Sequence, residues 1–222
     1  MGESNCVPRW WASGAAVARW GLLWAMAGGC GGPSPEALPP LVLSEPLLAP
    51  LKPVLKPSTL SPLRVSVTFN RAAERGGDDP RFWGQHTEDG QGLGEMVWGG
   101  PTRAITLPPE SEGWQVWFHE WSEAVVKSSG RELTTDESAR LLQVDVNDIW
   151  LETGPDRCRY FLAVRVVEAE TYVWEKDRYL NCLGNQRGYA ESHMDASRLL
   201  GQRLQKWLGE PYEDRETLED EF

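Results

Sequence analysis

Between Leu63 and Phe69, the apolar residues Leu63, Val65, Val67 and Phe69 alternate with Arg64, Ser66 and Thr68. That is the period of two that a half-buried strand requires. At Trp114 the period changes. Trp114, Trp117, Phe118, Trp121, Ala124 and Val125 recur at helical spacing, which predicts a helix over 114–126, with Ser111 as N-cap and Gly130 as stop. Alternation returns over Arg140–Leu151, assigning Leu142, Val144, Val146 and Trp150 to the inner side, with Asp148 as an interruption. Gly154-Pro155-Asp156 is a turn signal, and two more strands are expected over Arg157–Glu168 and Tyr172–Leu183. Ala190–Leu208 reads as a second helix with Met194, Leu200, Leu204 and Trp207 on one face, ended by Gly209 and Pro211. A short strand at Thr102–Leu107 falls inside a long, glycine-rich connection, 72–109; connections of that length usually have a role of their own. The resulting order, β-α-β-β-β-α, predicts an α+β domain over 63–209. Its expected core is an antiparallel sheet of about four strands with two helices packed on one face.

The flanks are different in kind. Residues 30–62 carry prolines from Pro33 to Pro62 at a density that opposes helix and sheet, and they read as an extended Pro- and Leu-rich tether. A plain spacer does not need Leu38, Leu41, Val42, Leu43, Leu47, Leu48, Leu51 and Leu55. Part of Leu41–Leu55 is therefore expected to pack on the domain or on a partner. Residues 210–222 hold seven carboxylates and one arginine and are expected to form an acidic, disordered tail.

At the other end, Arg9 and Arg19 precede the apolar run Trp20–Ala27, and Gly28-Gly29 precede Cys30. Basic, apolar and small segments in that order mark residues 1–29 as a secretory signal peptide. An uncleaved helix over Trp10–Gly29 would be long enough to cross a bilayer. It would, however, place Arg19 in mid-membrane at a cost of roughly 2.5–3.5 kcal/mol. Ala27-Gly28-Gly29-Cys30 resembles the lipobox of bacterial lipoproteins, with Ala27 where leucine is usual. The resemblance implies a diacylglyceryl group on the Cys30 thiol. Each buried CH₂ contributes about 0.8 kcal/mol, so a multiply acylated Cys30 would hold the chain to a bilayer.

The whole chain carries a formal charge of −11. Residues 1–29 contain Arg9, Arg19 and Glu3, so the remainder is one unit more negative. That acidity argues against nucleic acid and anionic lipid head groups as partners. With Cys6 in the leader and Cys30 assigned to lipid, Cys158 and Cys182 remain, and in an exported chain they read as a disulfide. Their midpoint is Glu170. A hairpin turning there places the two cysteines opposite each other at about 4.5–5.5 Å between Cα atoms, within the disulfide range of roughly 4.4–6.8 Å. The same register faces Arg165 with Glu175 and Phe161 with Tyr179. It also faces Lys176 with Val164, and the turn 169–171 lacks glycine, so slippage stays open. Closing this loop is expected to stabilise the fold by about 3 kcal/mol.

Candidate chemistry is sparse. His119-Glu120 opens like a zinc-protease helix, but Trp121-Ser122-Glu123 follow, so HExxH is absent. His119 and Glu123 lie one turn apart; His86 and His193 have no spaced partners. Gly90-Gln-Gly-Leu-Gly94 lacks the strand, helix and lysine of a phosphate loop, and no GxSxG or paired nucleophile occurs. No catalytic residue, metal or cofactor is expected, and the chain reads as a non-enzyme. Trp83 and Trp98, in the long connection, are the candidate contacts for a ligand or partner, with covering the edge of the core as the favoured alternative role.

The leader, the lipobox-like end and the element order together are similar to the YajG-type and ABC-transport-auxiliary lipoprotein domains, over Leu63–Leu208. That resemblance implies an envelope lipoprotein facing the periplasm, acting as an accessory or scaffold for a protein partner in a transport or assembly complex. Gly31 rather than Asp after Cys30 resembles outer-membrane sorting. Two alternatives stay open. One is a glycan or peptidoglycan binder using aromatics of 72–109; the other is a periplasmic enzyme around His119 and Asp148.

Overall fold

A computed structural model describes residues 38–215 apart from 56, 73–74, 76, 78, 89–100, 155–156 and 183–187. The leader, Cys30, Trp98, the Gly90–Gly94 run and residues 216–222 lie outside the described residues. Along the chain come β1 (Leu41–Val42), β2 (Leu63–Phe69), β3 (Phe82–Thr87), β4 (Thr102–Thr106), α1 (Trp114–Ser128), β5 (Arg140–Thr153), β6 (Cys158–Glu168), β7 (Tyr172–Asn181) and α2 (Tyr189–Gly209). A single 3-10 turn, Tyr212–Asp214, follows. Among the described residues no helix is long and apolar enough to cross a membrane.

The fold is α+β, but the sheet has seven strands rather than about four, and it is mixed rather than antiparallel. Its order is β1-β4-β3-β5-β6-β7, with β2 also on β5. β5 is the spine. One edge pairs along its length with antiparallel β6, from Leu142↔Glu168 to Thr153↔Cys158. The other edge is shared: parallel β2 takes Arg140–Val146 and parallel β3 takes Leu151–Thr153. β3 escapes the periodicity because Phe82, Trp83 and Gly84 are buried in succession, so no alternation marks it. β1 is two residues long and parallel to β4.

α1 and α2 meet the side chains that β5 and β6 bury, including Val144, Val146, Ile149, Leu151, Leu162, Val164 and Val166. Gly113, not Ser111, is the N-cap of α1; Ser111 Oγ instead accepts the Gly113 N–H at 3.1 Å. Gly130 ends the helix at φ 81°, a left-handed position that favours glycine. The two helices approach closely at Gly201. A Cβ there would lie 3.3 Å from Trp121 Nε1, and that nitrogen donates to the Ser197 carbonyl at 3.1 Å.

The proline-rich segment lies along this core. Leu41, Leu43, Leu48 and Leu51 pack against it, as its leucine content predicts, while Leu47 and Leu55 stay exposed. Trp117 Nε1 donates to the Pro46 carbonyl at 2.8 Å, and the Val54 and Ser58 amides donate to the Ser128 and Gly130 carbonyls.

Cys158 and Cys182 form a disulfide with Cα atoms 5.2 Å apart. The β6–β7 register matches the one centred on Glu170, with Phe161↔Tyr179, Val164↔Lys176 and Arg165↔Glu175. The glycine-free turn is accommodated with positive φ at Ala169 (51°) and Glu170 (61°), the sign that a tight hairpin turn demands. Non-glycine residues pay for that conformation in sterics. Glu170→Gly is therefore expected to raise stability by about 0.5–1 kcal/mol, read as a higher urea midpoint at unchanged m.

The first residues of the expected acidic tail, 210–215, lie among the described residues. Tyr212 and Arg215 engage the domain while Pro211, Glu213 and Asp214 stay exposed: the arginine is buried over the Trp207 ring, 4.4 Å from the centroid, beside Tyr212 at 4.6 Å. Arg215 Nη1 donates to Glu168 at 2.5 Å. Arg131 donates to both Glu168 carboxylate oxygens at 3.1 Å and to the Ser61 carbonyl at 2.6 Å. Tyr212 Oη adds a bond to Glu168 at 2.7 Å. Two buried cations on one buried carboxylate thus clamp the end of β6, the loop after α1, the segment before β2 and the residues after α2.

Candidate functional site

Trp83 does not offer a ligand contact. Neighbouring strand residues point to opposite faces, and β3 sends Phe82 toward Trp150 and Trp83 into the helix side. There Trp83 is fully buried, 5.2 Å from Trp114 and 6.1 Å from His193 between ring centroids. Trp98 and Cys30 fall outside the described residues. Cys158 and Cys182 are joined, a structural role.

The histidines do not converge on a reaction centre. His193 is fully buried, with Trp117 4.3 Å and Trp114 5.0 Å away between centroids, and its Nδ1 shares a 2.5 Å hydrogen bond with Tyr160 Oη. Burial pushes its pKa down to about 3, so it stays neutral, and burial likewise raises the Tyr160 phenol. His119 lies on α1, 3.5 Å from Glu123, which also binds Lys127. His119 and Asp148 line separate depressions. The first, about 540 Å³, includes Arg64, Val65, Glu123 and Leu133; the second, about 320 Å³, includes Arg75, Trp150, Phe161 and Tyr179. Among the described residues no group of three or more His, Cys, Asp or Glu is arranged to hold a metal ion.

The second depression is where the geometry concentrates. On the sheet face away from the buried side chains, Trp150 pairs with Phe161 across β5–β6, and Phe161 pairs with Tyr179 across β6–β7. Neighbouring strands lie about 4.8 Å apart, so the three rings form a row roughly 10 Å long. Tyr179 is 54% exposed; Trp150 and Phe161 are half-buried. Charges frame the row. Arg75 lies 5.2 Å over the Trp150 ring and binds Asp148, while Glu152 binds Arg157 at 2.7 Å. Val173, 40% exposed, shares that face of β7 but is separated from Tyr179 by Glu175 and Asp177.

Period-two counting assigns Trp150 to the inner side, and the structure reverses it. The β5–β6 register shifts between Val146 and Asp148, a bulge that inserts one residue and flips every later side chain. Ile149 and Leu151 are therefore buried, and Trp150 faces outward. The interruption at Asp148 was the visible signal of that bulge.

No family model matches the chain, and no curated protein matches it in sequence. Among solved structures, it is similar to the crystal structure of protein XCC0632 from Xanthomonas campestris, assigned to the family DUF330. The two share 12% identity over 75% of this chain and 93% of that one, with a TM-score of 0.45.

Proposed function

We propose that the chain is a lipid-anchored envelope lipoprotein acting as a non-catalytic accessory or scaffold subunit, and that it docks a protein partner through the aromatic row Trp150–Phe161–Tyr179. That row carries the reading. An enzyme needs titratable groups gathered in one pocket, whereas among the described residues the chemistry-bearing side chains are dispersed and the exposed aromatics are aligned. Aromatic anchors framed by charge are the usual hot-spot composition of protein interfaces. The Cys158–Cys182 disulfide supports an oxidising compartment, consistent with export and with lipid on Cys30.

Crosslinked pull-down from bacterial envelopes tests the reading. The wild-type chain is expected to recover a protein partner, and Tyr179→Ala to weaken capture by about 10- to 30-fold with unchanged melting. Equal recovery by both chains, or retention on peptidoglycan alone, would count against it. Mass spectrometry of the mature N-terminus checks the anchor: an acylated Cys30 is expected, and an unmodified terminus there would remove it.

A further inference from the structure

We infer that the break in the sheet between β2 and β3 is an oxyanion-binding site built on Arg71, with a monoanionic carboxylate as its preferred ligand. On that edge of β5, pairing with β2 ends at Val146 and pairing with β3 starts at Leu151. Arg71 leaves β2 beside this break. Its guanidinium lies 4.8 Å from the Phe69 ring centroid and 5.2 Å from that of Phe82, and the residue is only 8% exposed. Nε, Nη1 and Nη2 are all buried, and none has a hydrogen-bond partner among the described residues.

A buried guanidinium with every donor unused is a costly arrangement. The rings offset part of that cost through cation–π attraction, and Asp79 contributes at longer range, but neither accepts a hydrogen bond from it. Burial lowers the Arg71 pKa only to about 10, so the group is charged at neutral pH. The neighbouring Arg75 is satisfied by Asp148, which isolates the demand on Arg71. A planar fork of N–H donors matches the two oxygens of a carboxylate, or of a phosphate, in bidentate fashion. Asp79 already balances part of the charge, which disfavours a dianion, and the flanking Phe69 and Phe82 suit an apolar body behind the carboxylate.

The experiment follows the Arg71 Nε–Hε resonance by ¹⁵N NMR of the whole domain, identified by its loss in Arg71→Met. Sodium acetate, phosphate and chloride are titrated at constant ionic strength. The expected result is a saturable downfield shift with acetate, a smaller one with phosphate, and a wild-type Tm higher by about 3 °C in saturating acetate. Arg71→Met is expected to lose that Tm increment. Should Arg71→Met not fold, Arg71→Lys keeps the charge without the fork and is expected to retain less than a third of the increment. A phosphate response exceeding that of acetate would overturn the carboxylate preference. No saturable shift with any of the salts, or an undiminished increment in both variants, would overturn the site. So would a resonance that moves only in Glu74→Gln or Asp78→Asn, since the acceptor would then belong to the chain itself.

Discussion

Gly84→Ala is expected to abolish the folded domain. Gly84 sits where β3 meets both β4, opposite Ile105, and β5, opposite Leu151. A Cβ there would lie 1.7 Å from the Leu151 carbonyl oxygen, 2.5 Å from its carbon and 2.7 Å from its nitrogen. All three are backbone atoms of the central strand, so no side chain can swing aside. β3 would have to leave β5, taking Trp83 out of the core. The loss is expected to exceed about 4 kcal/mol, the range reserved for severe steric or core defects. Soluble yield and thermal unfolding by circular dichroism measure it. Gly154→Ala is the control, because its Cβ would meet the nearest atom at an ordinary 3.4 Å; it is expected to cost less than about 1 kcal/mol.

Removing the carboxylate between Arg131 and Arg215 is the next most damaging change. Glu168→Ala would leave two guanidiniums, 0% and 1% exposed, facing each other without their shared anion. Deleting one member of a buried ion pair costs about 3–5 kcal/mol, and urea unfolding at pH 7 is expected to show a loss of that size. Acid reduces the difference. Burial alone would raise the Glu168 carboxyl, but hydrogen bonds from Arg131, Arg215 and Tyr212 and the Arg131 charge outweigh it, so its pKa is held below the ordinary 4.5. A depressed carboxyl pKa means that the unfolded chain binds the proton more readily. The stabilisation is thus complete above about pH 4.5 and is lost as pH falls through the lower folded value. The gap between wild type and Glu168→Ala is expected to narrow over that interval.

Much of the fold was legible because its elements keep one period. β2, α1, β6 and α2 each keep one period; β7, whose Trp174 face also carries Lys176 and Arg178, is placed by the cysteine pair, whose midpoint sets the β6–β7 register. The unread parts each break periodicity for a physical reason. β3 is buried at consecutive positions and carries Gly84 for close approach rather than for a turn. β1 is too short to show a pattern. The β5 bulge adds a residue that period-two counting cannot see, so Trp150 was assigned to the wrong face and the aromatic row went unnoticed. Arg215 reads as one charge in an acidic run, although the Trp207, Tyr212 and Tyr172 rings and Glu168 surround that side chain in the fold. Trp83 falls in a long connection when β3 shows no alternation, yet covering the core edge is its favoured reading there, and the side chain is buried. Nothing in the sequence distinguishes Arg71 from the other arginines; its isolation appears only when the chain is folded.

The row Trp150–Phe161–Tyr179 as a docking surface is the central claim, and site-specific photocrosslinking in intact envelopes tests it most directly. A benzophenone amino acid placed at Tyr179 is compared with one at Lys206, whose side chain is 82% exposed on α2. A discrete protein adduct from position 179 and none from position 206 is the predicted result. Adducts from 206 alone, or from neither position in a cell that retains the anchored protein, would contradict it.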